Sequence, residues 1–436
     1  MKKHGTVLLL FVATFTFFGC SSAKPPETKK LKVLVVGIDG MEPSLVDDYL
    51  SQGKLLNLKK IINNGFKKTI PTNFALSSPV IWTSIATGVP PEIHGITDFT
   101  IDGKPVNSAS RKVPAFWNIL DSNMVKAATL AWWATWPAER DGGIMIGDRV
   151  YWQERPQKVY PEGIIDTTKF ILDDYAGNFE FLPRFTSYPY DSEYKTHFSE
   201  GQEEYQLNKL IADRLIRIYC RDRIYIDIAK ELSAKKNLEV LSIYLQGIDH
   251  VQHAFWQYMD PEPFRKEGIT VSGDNVARLG RIIPEYYAFI DELVGTLLTL
   301  CDEKTLIFVL SDHGFGPDPS VIKDTPKLGL SGNHKDETVF IMSGRDVRRE
   351  ADATDNLEMP TQLDFLPTLL YALRLPVAKD ISGRPLDGYF TNEFRTNNSV
   401  SYISTYKTNF KKQQLKSSLG DDGKVIEDLR GLGYVK

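Results

Sequence analysis

Short, continuous apolar runs alternate along this chain with longer segments in which apolar residues recur at helical spacing. A helical segment with Ile290, Leu293 and Leu297 on one face precedes one of these runs. The runs are typical of strands buried on both faces, and they are LKVLVVGIDG (31–40), LEVLSIYLQGID (238–249), TLIFVLSDHG (305–314) and ETVFIMSG (337–344). The alternation predicts an α/β fold, a three-layer sandwich with a mostly parallel central sheet between helices.

Residues 151–198 interrupt this alternation. They are dense in Tyr, Phe and Pro and show no clean periodicity. We interpret them as an insertion near the face that carries the functional residues. Two alternatives are open for this insertion: a lid that binds substrate, or a purely structural surface segment.

The N-terminal residues predict a processing signal rather than part of the fold. Lys2 and Lys3 precede an apolar run over 7–18, which is too short to cross a bilayer comfortably. The run ends in Gly19-Cys20, which resembles the lipobox of bacterial lipoproteins. We therefore expect a signal peptide over 1–20 and a lipid on Cys20 that anchors the protein in the bacterial cell envelope, facing the periplasm or the exterior. The alternative is an ordinary signal peptide in which Cys20 is incidental.

The remaining boundaries follow from composition. We expect a polar tether over 21–30, a single main domain over 31–395 and a polar tail over 396–436 that packs or trails on the surface. The tail ends in IEDLRGLGYVK, which predicts a short helix. The formal net charge of −4 gives no basic footprint for nucleic acid, so we expect no nucleic-acid partner.

Three of the four predicted strands end in residues that can bind a metal ion. Asp39 ends the first run, Asp249 ends the second, and Asp312-His313 lie near the end of the third. Because ligands bind at the carboxyl ends of strands in open α/β sheets, we expect these side chains to meet at one rim.

Two further histidines extend this set. His253 follows Asp249 by four residues, a spacing that puts both side chains on one face of a helix. His334 lies in a polar loop before the fourth strand.

His250 is out of phase with His253, and we expect it to be a neighbouring or surface residue rather than a ligand. His94, in the segment PPEIHGI, is expected to hold a turn through hydrogen bonds.

A candidate nucleophile lies in SSPVIWTSIATG (77–88). Ser78 is predicted to cap a helix that has Pro79 at its first position and Gly88 at its end. Capping can be the whole role of Ser78. A helix N-terminus also binds phosphate well, and a metal ion beside the hydroxyl would lower its pKa.

Taken singly, each of these residues has an ordinary structural explanation, since an Asp after a strand usually forms a turn. The complete set is more specific, and its motifs resemble the type I phosphodiesterase/nucleotide pyrophosphatase family of the alkaline phosphatase superfamily. The matching segments are GIDG (37–40), SSPVIWTSIATGVPPEIHGI (77–96), GIDHVQH (247–253), SDHG (311–314), GNHKDETVFIMSG (332–344) and QLDFLPTLLYALRLPVAKDISGRPL (362–386).

The resemblance implies two divalent metal ions and a serine nucleophile. Asp249, His253 and His334 would hold one ion. Ser78 would bridge to the other ion after attack, and Ser77 is the rival nucleophile. The remaining ligands of that second ion would be Asp39, Asp312 and His313. Mixed carboxylate and imidazole ligands suit zinc, with manganese or iron as alternatives.

The implied reaction is attack on phosphorus, a phospho-serine intermediate and its hydrolysis, with a small phosphate ester as the substrate. The nucleotide-cleaving members carry an asparagine just after the HGI turn, where this chain has Asp98 and Phe99. That departure puts nucleotide pyrophosphatase specificity in doubt, and we expect Asp98 to face a loop or the leaving group. A sulfatase would require Arg at Ile81, which excludes that branch.

Three hypotheses for function remain. The first is a phosphodiesterase, and the second is a phosphomonoesterase or phosphonate hydrolase that uses the same site. The third is a non-catalytic envelope lipoprotein that keeps the fold. A complete ligand set argues against the third, and no residue separates the first two decisively. The sequence indicates no protein partner.

Overall fold

One mixed sheet forms the centre of the molecule in the computed structural model, which describes residues 30–153, 156–324, 329–352, 357–410, 422–431 and 434. Within these residues the strands, numbered in chain order, are β1 Val33–Ile38, β2 Gly65–Pro71, β3 Thr100–Ile101, β4 Lys104–Pro105, β5 Ala127–Leu130, β6 Ile144–Ile146, β7 Val159–Tyr160, β8 Val240–Leu245, β9 Leu306–Leu310, β10 Gly314–Pro317, β11 Gly332–Lys335, β12 Glu337–Ser343, β13 Val377–Ala378 and β14 Tyr402–Ile403.

The central sheet has the strand order β2-β12-β9-β1-β8-β5-β6-β7. Strands β9, β1, β8, β5 and β6 are parallel, whereas β12 runs antiparallel between β9 and β2, and β7 runs antiparallel to β6. All four apolar runs of the sequence are strands of this sheet. The prediction of a mostly parallel central sheet is confirmed.

Helices cover the sheet. In the part of the chain that the structure describes they are α1 Pro43–Ser51, α2 Leu56–Asn63, α3 Ser78–Thr87, α4 Pro91–His94, α5 Phe116–Ser122, α6 Leu172–Ala176, α7 Leu182–Phe185, α8 Tyr194–His197, α9 Glu203–Ile211, α10 Arg217–Lys235, α11 Gly247–Met259, α12 Glu262–Lys266, α13 Gly273–Leu279, α14 Ile282–Leu298, α15 Pro319–Asp324, α16 Phe365–Ala372, α17 Asn392–Asn397 and α18 Asp422–Gly431. A π-helical turn over Ala212–Ile216 joins α9 to α10.

The long helices form two groups. Helices α2, α10, α11 and α14 pack on one another, whereas α3, α5 and α16 form the other group. Phe365 of α16 meets Phe116 of α5 at a ring-centroid distance of 5.8 Å and Phe308 of β9 at 5.2 Å. Between the two groups lies the sheet, and its central strands β1, β8 and β9 are buried at every residue.

Close packing near the carboxyl end of β1 depends on a glycine. Gly37 pairs with Tyr244 of β8 on one side and Leu310 of β9 on the other. A Cβ atom at Gly37 would come within 2.8 Å of the Trp82 ring of α3. The missing side chain therefore lets α3 approach the carboxyl end of β1.

The predicted insertion over 151–198 contains an edge strand of the sheet and a segment that packs on helices α10 and α14. Val159–Tyr160 forms the edge strand β7. Farther along, Phe181 stacks on Tyr219 of α10 at 3.8 Å between ring centroids, and Phe185 meets Phe289 of α14 at 6.1 Å. These contacts favour the structural alternative for residues 181–185 over a substrate-binding lid.

Both chain ends bear on the sequence predictions. The predicted signal peptide with Cys20 lies outside the described residues, as does the tether except Lys30. Among the residues that are described, no helix is long and apolar enough to cross a membrane. In the tail, β14 pairs with β13, and α18 confirms the predicted terminal helix. Val425 and Leu429 of α18 pack against Phe99, so this described part of the tail packs on the domain.

Candidate metal centre

The predicted metal ligands meet at the carboxyl rim of the parallel strands. Asp39 directly follows β1, and Asp312 follows β9 by two residues. Helix α11, which begins two residues after β8, carries Asp249 and His253 on successive turns. Because β12 runs antiparallel to β9, the chain that enters β12 starts at this rim and brings His334 there on β11.

The first donor group joins α11 to β11. Nε2 of His253 lies 3.4 Å from Oδ1 of Asp249, and Nε2 of His334 lies 3.2 Å from the same oxygen. The two Nε2 atoms are 3.0 Å apart. These three donors form a triangle with nearly equal sides, an arrangement that can hold one metal ion.

The second donor group joins β1 to the end of β9. Nε2 of His313 lies 3.4 Å from Oδ1 of Asp39 and 3.3 Å from Oδ2 of Asp312. Asp249 borders this group as well, since one of its oxygens lies within 4.8 Å of donors on Asp39 and His313. The structure thus brings together every ligand that the sequence predicted.

Backbone carbonyls orient all three imidazoles. Nδ1 of His253 lies 2.9 Å from the Gly332 carbonyl oxygen, Nδ1 of His334 lies 3.0 Å from that of Leu76, and Nδ1 of His313 lies 3.1 Å from that of Gly314; these are the only described hydrogen bonds of the Nδ1 atoms. A carbonyl oxygen only accepts, so Nδ1 carries the proton in each ring. Each Nε2 then directs a lone pair into the centre, as expected of a metal-binding histidine.

The donor set fits divalent cations. Oδ1 of Asp39, Oδ1 of Asp249 and Oδ2 of Asp312 are buried and have no hydrogen-bond partner among the described residues. Buried carboxylate oxygens without partners are costly, and so are two imidazole lone pairs that face each other. The donor separations of 3.0–3.4 Å are close to the roughly 3.3 Å expected between ligands of a tetrahedral ion with bonds of about 2.0 Å.

The carboxyl groups differ in their protonation. Burial raises the pKa of Asp39 well above its ordinary value, and the nearby charges of Asp312 and Asp249 raise it further. Burial also raises the pKa of Asp312 to about 6. For Asp249 burial acts in the same direction, but the adjoining His253 and His334 outweigh it and hold the pKa well below the usual range.

Burial and neighbouring charges also set the pKa values of the three imidazoles. Burial lowers the pKa of His313 and of His253, which keeps both rings neutral and able to bind a cation. Burial acts to lower the pKa of His334 as well, but the contact with Asp249 prevails and raises it. In the absence of a metal ion, His334 is therefore the imidazole of the centre that most readily takes up a proton.

Ser78 lies beside the second group, although it does not cap its helix as predicted. Ser77 is the N-cap residue, with extended φ and ψ of −130° and 114°, and Ser78 is the first residue of α3, ahead of Pro79. The cause is that the carbonyl of Ser77 accepts the first helical hydrogen bonds. Gly88 ends the helix in the left-handed conformation at φ 65°, as predicted. Oγ of Ser78 lies 3.5 Å from Nε2 of His313.

Three aromatic residues that the motifs did not indicate support the centre. Tyr244 donates a hydrogen bond to Oδ2 of Asp39, and Trp133 donates one to the Tyr244 hydroxyl at 2.8 Å. Tyr434 donates to Oδ2 of Asp249. The pairing of β8 with β1 could have indicated Tyr244, because the register sets it beside Gly37, two residues before Asp39. No comparable signal pointed to Tyr434.

The remaining histidines have the structural roles that were expected. His94 is fully buried, with Nε2 2.9 Å from the Ser84 hydroxyl and Nδ1 accepting from the Ile96 amide at 3.2 Å, which holds the turn. His250 contacts Gln246 and Arg214 instead of the donor groups.

The side chains of Asp98 and Phe99, which follow the turn held by His94, point in different directions. Asp98 is exposed, and its Oδ1 accepts from the Phe99 amide at 2.7 Å, so it faces a loop. Phe99 is buried and stacks on Tyr434. Phe99 therefore reaches the centre only through Tyr434, whose hydroxyl donates to Asp249.

A family model assigns the chain to the hydrolases of the alkaline phosphatase superfamily. More narrowly, residues 33–355 match the family model of type I phosphodiesterase / nucleotide pyrophosphatase, and the chain belongs to this family. A comparison with curated protein sequences finds no significant match.

Solved structures match the chain at low sequence identity. Wild-type alkaline phosphatase PafA is 11% identical, with a TM-score of 0.51, and the match covers 84% of this chain and 100% of that one. Phosphonate monoester hydrolase SpPMH from Silicibacter pomeroyi is 15% identical, with a TM-score of 0.46 and coverage of 83% and 77%. A putative sulfatase from Bacteroides thetaiotaomicron is 13% identical, with a TM-score of 0.48 and coverage of 87% and 76%.

Proposed function

We propose that this protein is a two-metal phosphodiesterase in which Ser78 is the nucleophile. The observation that carries the proposal is the pair of donor groups, whose separations of 3.0–3.4 Å match those around two first-row divalent ions. The first ion would be held by Asp249, His253 and His334. The second would be held by the remaining predicted ligands, Asp39, Asp312 and His313.

Zinc is the ion that this donor set suits best. Its bonds to nitrogen and carboxylate oxygen are about 2.0–2.2 Å, whereas calcium bonds of about 2.3–2.6 Å would need wider donor separations. Three neutral imidazoles also favour zinc over magnesium, which prefers oxygen ligands. When bound, such ions would lower the pKa of the Ser78 hydroxyl and neutralise charge on the entering and leaving oxygens.

The residues of the chain would then position the reaction. Ser78 lies at the start of α3, so the positive end of that helix dipole would lie toward the substrate phosphate. Oγ of Ser78 attacks phosphorus, the bond to the leaving oxygen breaks, and the leaving group departs with a proton. Water then hydrolyses the phospho-serine and restores the hydroxyl. Tyr244 keeps Asp39 oriented through its hydrogen bond during both steps.

The surroundings of the centre favour a diester over a monoester. Phe99 offers an aromatic face, which the ring of Tyr434 covers in this structure. Such a surface suits the carbon substituent of a diester, whereas the second negative charge of a monoester would gain nothing from it. Membership in the family supports the same substrate class.

The proposal is tested by turnover of bis-p-nitrophenyl phosphate beside p-nitrophenyl phosphate. The mature protein would be assayed as purified, after chelation and after return of zinc. We expect chelator-sensitive cleavage that is faster on the diester. Faster cleavage of the monoester would make the protein a phosphatase on the same residues, and absence of bound metal would refute the mechanism.

Two neighbouring serines give a matched pair of variants. Ser78→Ala should reduce turnover by on the order of 10⁴-fold or more and abolish the phospho-enzyme, because the nucleophile is lost. Ser77→Ala should retain most of the activity, since its hydroxyl makes no hydrogen bond with the described residues. Mass spectrometry of acid-quenched enzyme measures the phospho-serine. The opposite pattern would assign the nucleophile to Ser77.

A further inference from the structure

The nucleophile and the carboxylates of the proposed site are buried, whereas His334 is partly exposed. Ser78, Asp249 and Asp312 are 0% exposed, and Asp39 is 1% exposed. An enzyme whose nucleophile must reach an external phosphate ester cannot bind it in this arrangement. Part of the cover has to move.

The last described residues of the chain form part of this cover. We call α18 (Asp422–Gly431) together with Tyr434 the C-terminal segment. The segment docks through Val425 and Leu429, which are both 1% exposed and cluster with Phe99. A cavity of about 20 Å³, which has room for about one water molecule, lies beside Leu429 and Tyr244.

Tyr434 reaches the first donor group itself. Its hydroxyl donates to Oδ2 of Asp249, and its ring centroid lies 5.8 Å from that of His253. The ring stacks on Phe99 with 4.6 Å between centroids and 9° between planes. Trp133 meets the edge of Phe99 at 5.5 Å. The phenol oxygen of Tyr434 therefore contacts the predicted ligand Asp249, and the Tyr434 ring stacks on Phe99.

The position of Ser78 indicates that Tyr434 lies on the leaving-group side of the centre. Ser78 contacts His313, a member of the second group. In an in-line displacement the entering and leaving oxygens are on opposite sides of phosphorus. The leaving oxygen then lies toward the first group, where Asp249 accepts from Tyr434.

We propose that the C-terminal segment occupies the leaving-group subsite and must withdraw before substrate binds. Tyr434 takes the place of a planar or apolar group joined to phosphorus through oxygen, and Phe99 is the surface on which that group stacks. The segment is thus an intramolecular competitor of the substrate. This inference rests on the proposed function of the same site.

Variants of the full-length protein test the competition. Tyr434→Ala removes the occupant, and Leu429→Asp places a charge in the cluster with Phe99. Glu427→Ala, on the exposed face of the same helix, is the matched control. If the open form is about 10% populated in the wild type, both test variants should raise kcat/KM for bis-p-nitrophenyl phosphate by up to about 10-fold, mainly through KM. The control should stay within about two-fold.

A binding measurement separates this inference from the proposed function. Phenylphosphonate carries an aromatic group on phosphorus and cannot be turned over. We expect it to bind Tyr434→Ala about 10-fold more tightly than wild type by calorimetry. In the wild type it should speed amide hydrogen exchange across residues 422–431.

Either of two results would overturn the inference. Unchanged exchange and affinity would mean that the segment does not cover the subsite. A fall in kcat in Tyr434→Ala without tighter binding would make Tyr434 part of the catalytic apparatus instead. If the wild type cleaves no ester but the exchange and affinity change as expected, the proposed function fails and the competition stands.

Discussion

The two donor groups share one sheet rim but differ in charge. The first combines two imidazoles with Asp249, and these rings hold the pKa of that carboxyl well below its ordinary value. The second combines two carboxyls with one imidazole, and both of its acids have raised pKa values. The first group therefore partly neutralises itself, whereas the acids of the second group are hard to ionise together without a cation. The second group therefore depends more strongly than the first on a bound cation.

The surroundings of the two groups differ as well. Ser78 at the start of α3 and Tyr244 on β8 border the second group, so its neighbours belong to the sheet and its helices. The first group meets Tyr434 from the end of the chain. The nucleophile thus lies on the side of the centre that Tyr244 and α3 border, and the segment that we expect to move lies on the other side.

The largest effect is expected where the two groups meet. Asp249 lies within reach of both sets of donors, so Asp249→Ala should reduce bound zinc from two ions per chain to fewer than one. Activity should fall by on the order of 10⁴-fold, because a single ion cannot neutralise both the entering and the leaving oxygen. Elemental analysis of the purified variant measures the zinc.

His334→Ala provides the contrast within the same experiment. His334 belongs to the first group alone, so this variant should lose one ion and keep the other. Two ions retained in His334→Ala would refute its assignment as a ligand. Equal loss from the two variants would mean that the groups do not bind independently.

The sequence predicted the rim of this centre because local pattern and topology coincide there. The continuous apolar runs identify β1, β8 and β9, and the parallel arrangement places their carboxyl ends together. Asp39 and Asp249 could therefore be assigned to one site before any contact was known. The four-residue spacing to His253 needed only the geometry of a helix.

Residues that act across long sequence separations could not be predicted in this way. Tyr434 is 185 positions away from Asp249, and its segment has no distinctive motif. Its place depends on the packing of Val425 and Leu429 against Phe99, which is a tertiary contact. Likewise, the N-cap fell on Ser77 instead of Ser78, because either serine satisfies the local pattern and the hydrogen bonds of the fold decide between them.

A second prediction uses the raised pKa of Asp312 in the metal-free protein. The folded pKa of Asp312 is about 6, above its unfolded value, so its contribution to stability is lost as pH rises from about 4 to about 6. At pH 7, Asp312→Asn should therefore stabilise the chelated protein by up to about 3 kcal/mol. Urea unfolding at pH 4 and pH 7 measures the free energy.

The sign of this effect should reverse when zinc is returned, because the variant then lacks a charged ligand. Asp98→Asn, which removes an exposed carboxyl outside the centre, should change neither free energy by more than about 0.5 kcal/mol. A chelated Asp312→Asn protein that is less stable than wild type at pH 7 would show that burial does not penalise the ionised Asp312 carboxyl.

The smallest effect is expected from the hydrogen bond that orients Asp39. Tyr244→Phe removes the donor but keeps the ring that packs on Trp82 at 5.1 Å. Loss of a partner that orients a ligand lowers metal affinity by about 10- to 100-fold, and here only the second group should be affected. Competition with a zinc chelator would give two dissociation constants, and only the weaker binding of one ion should change. An equal change in both constants would mean that Asp39 serves the two groups jointly, so the division between them would not extend to their ligands.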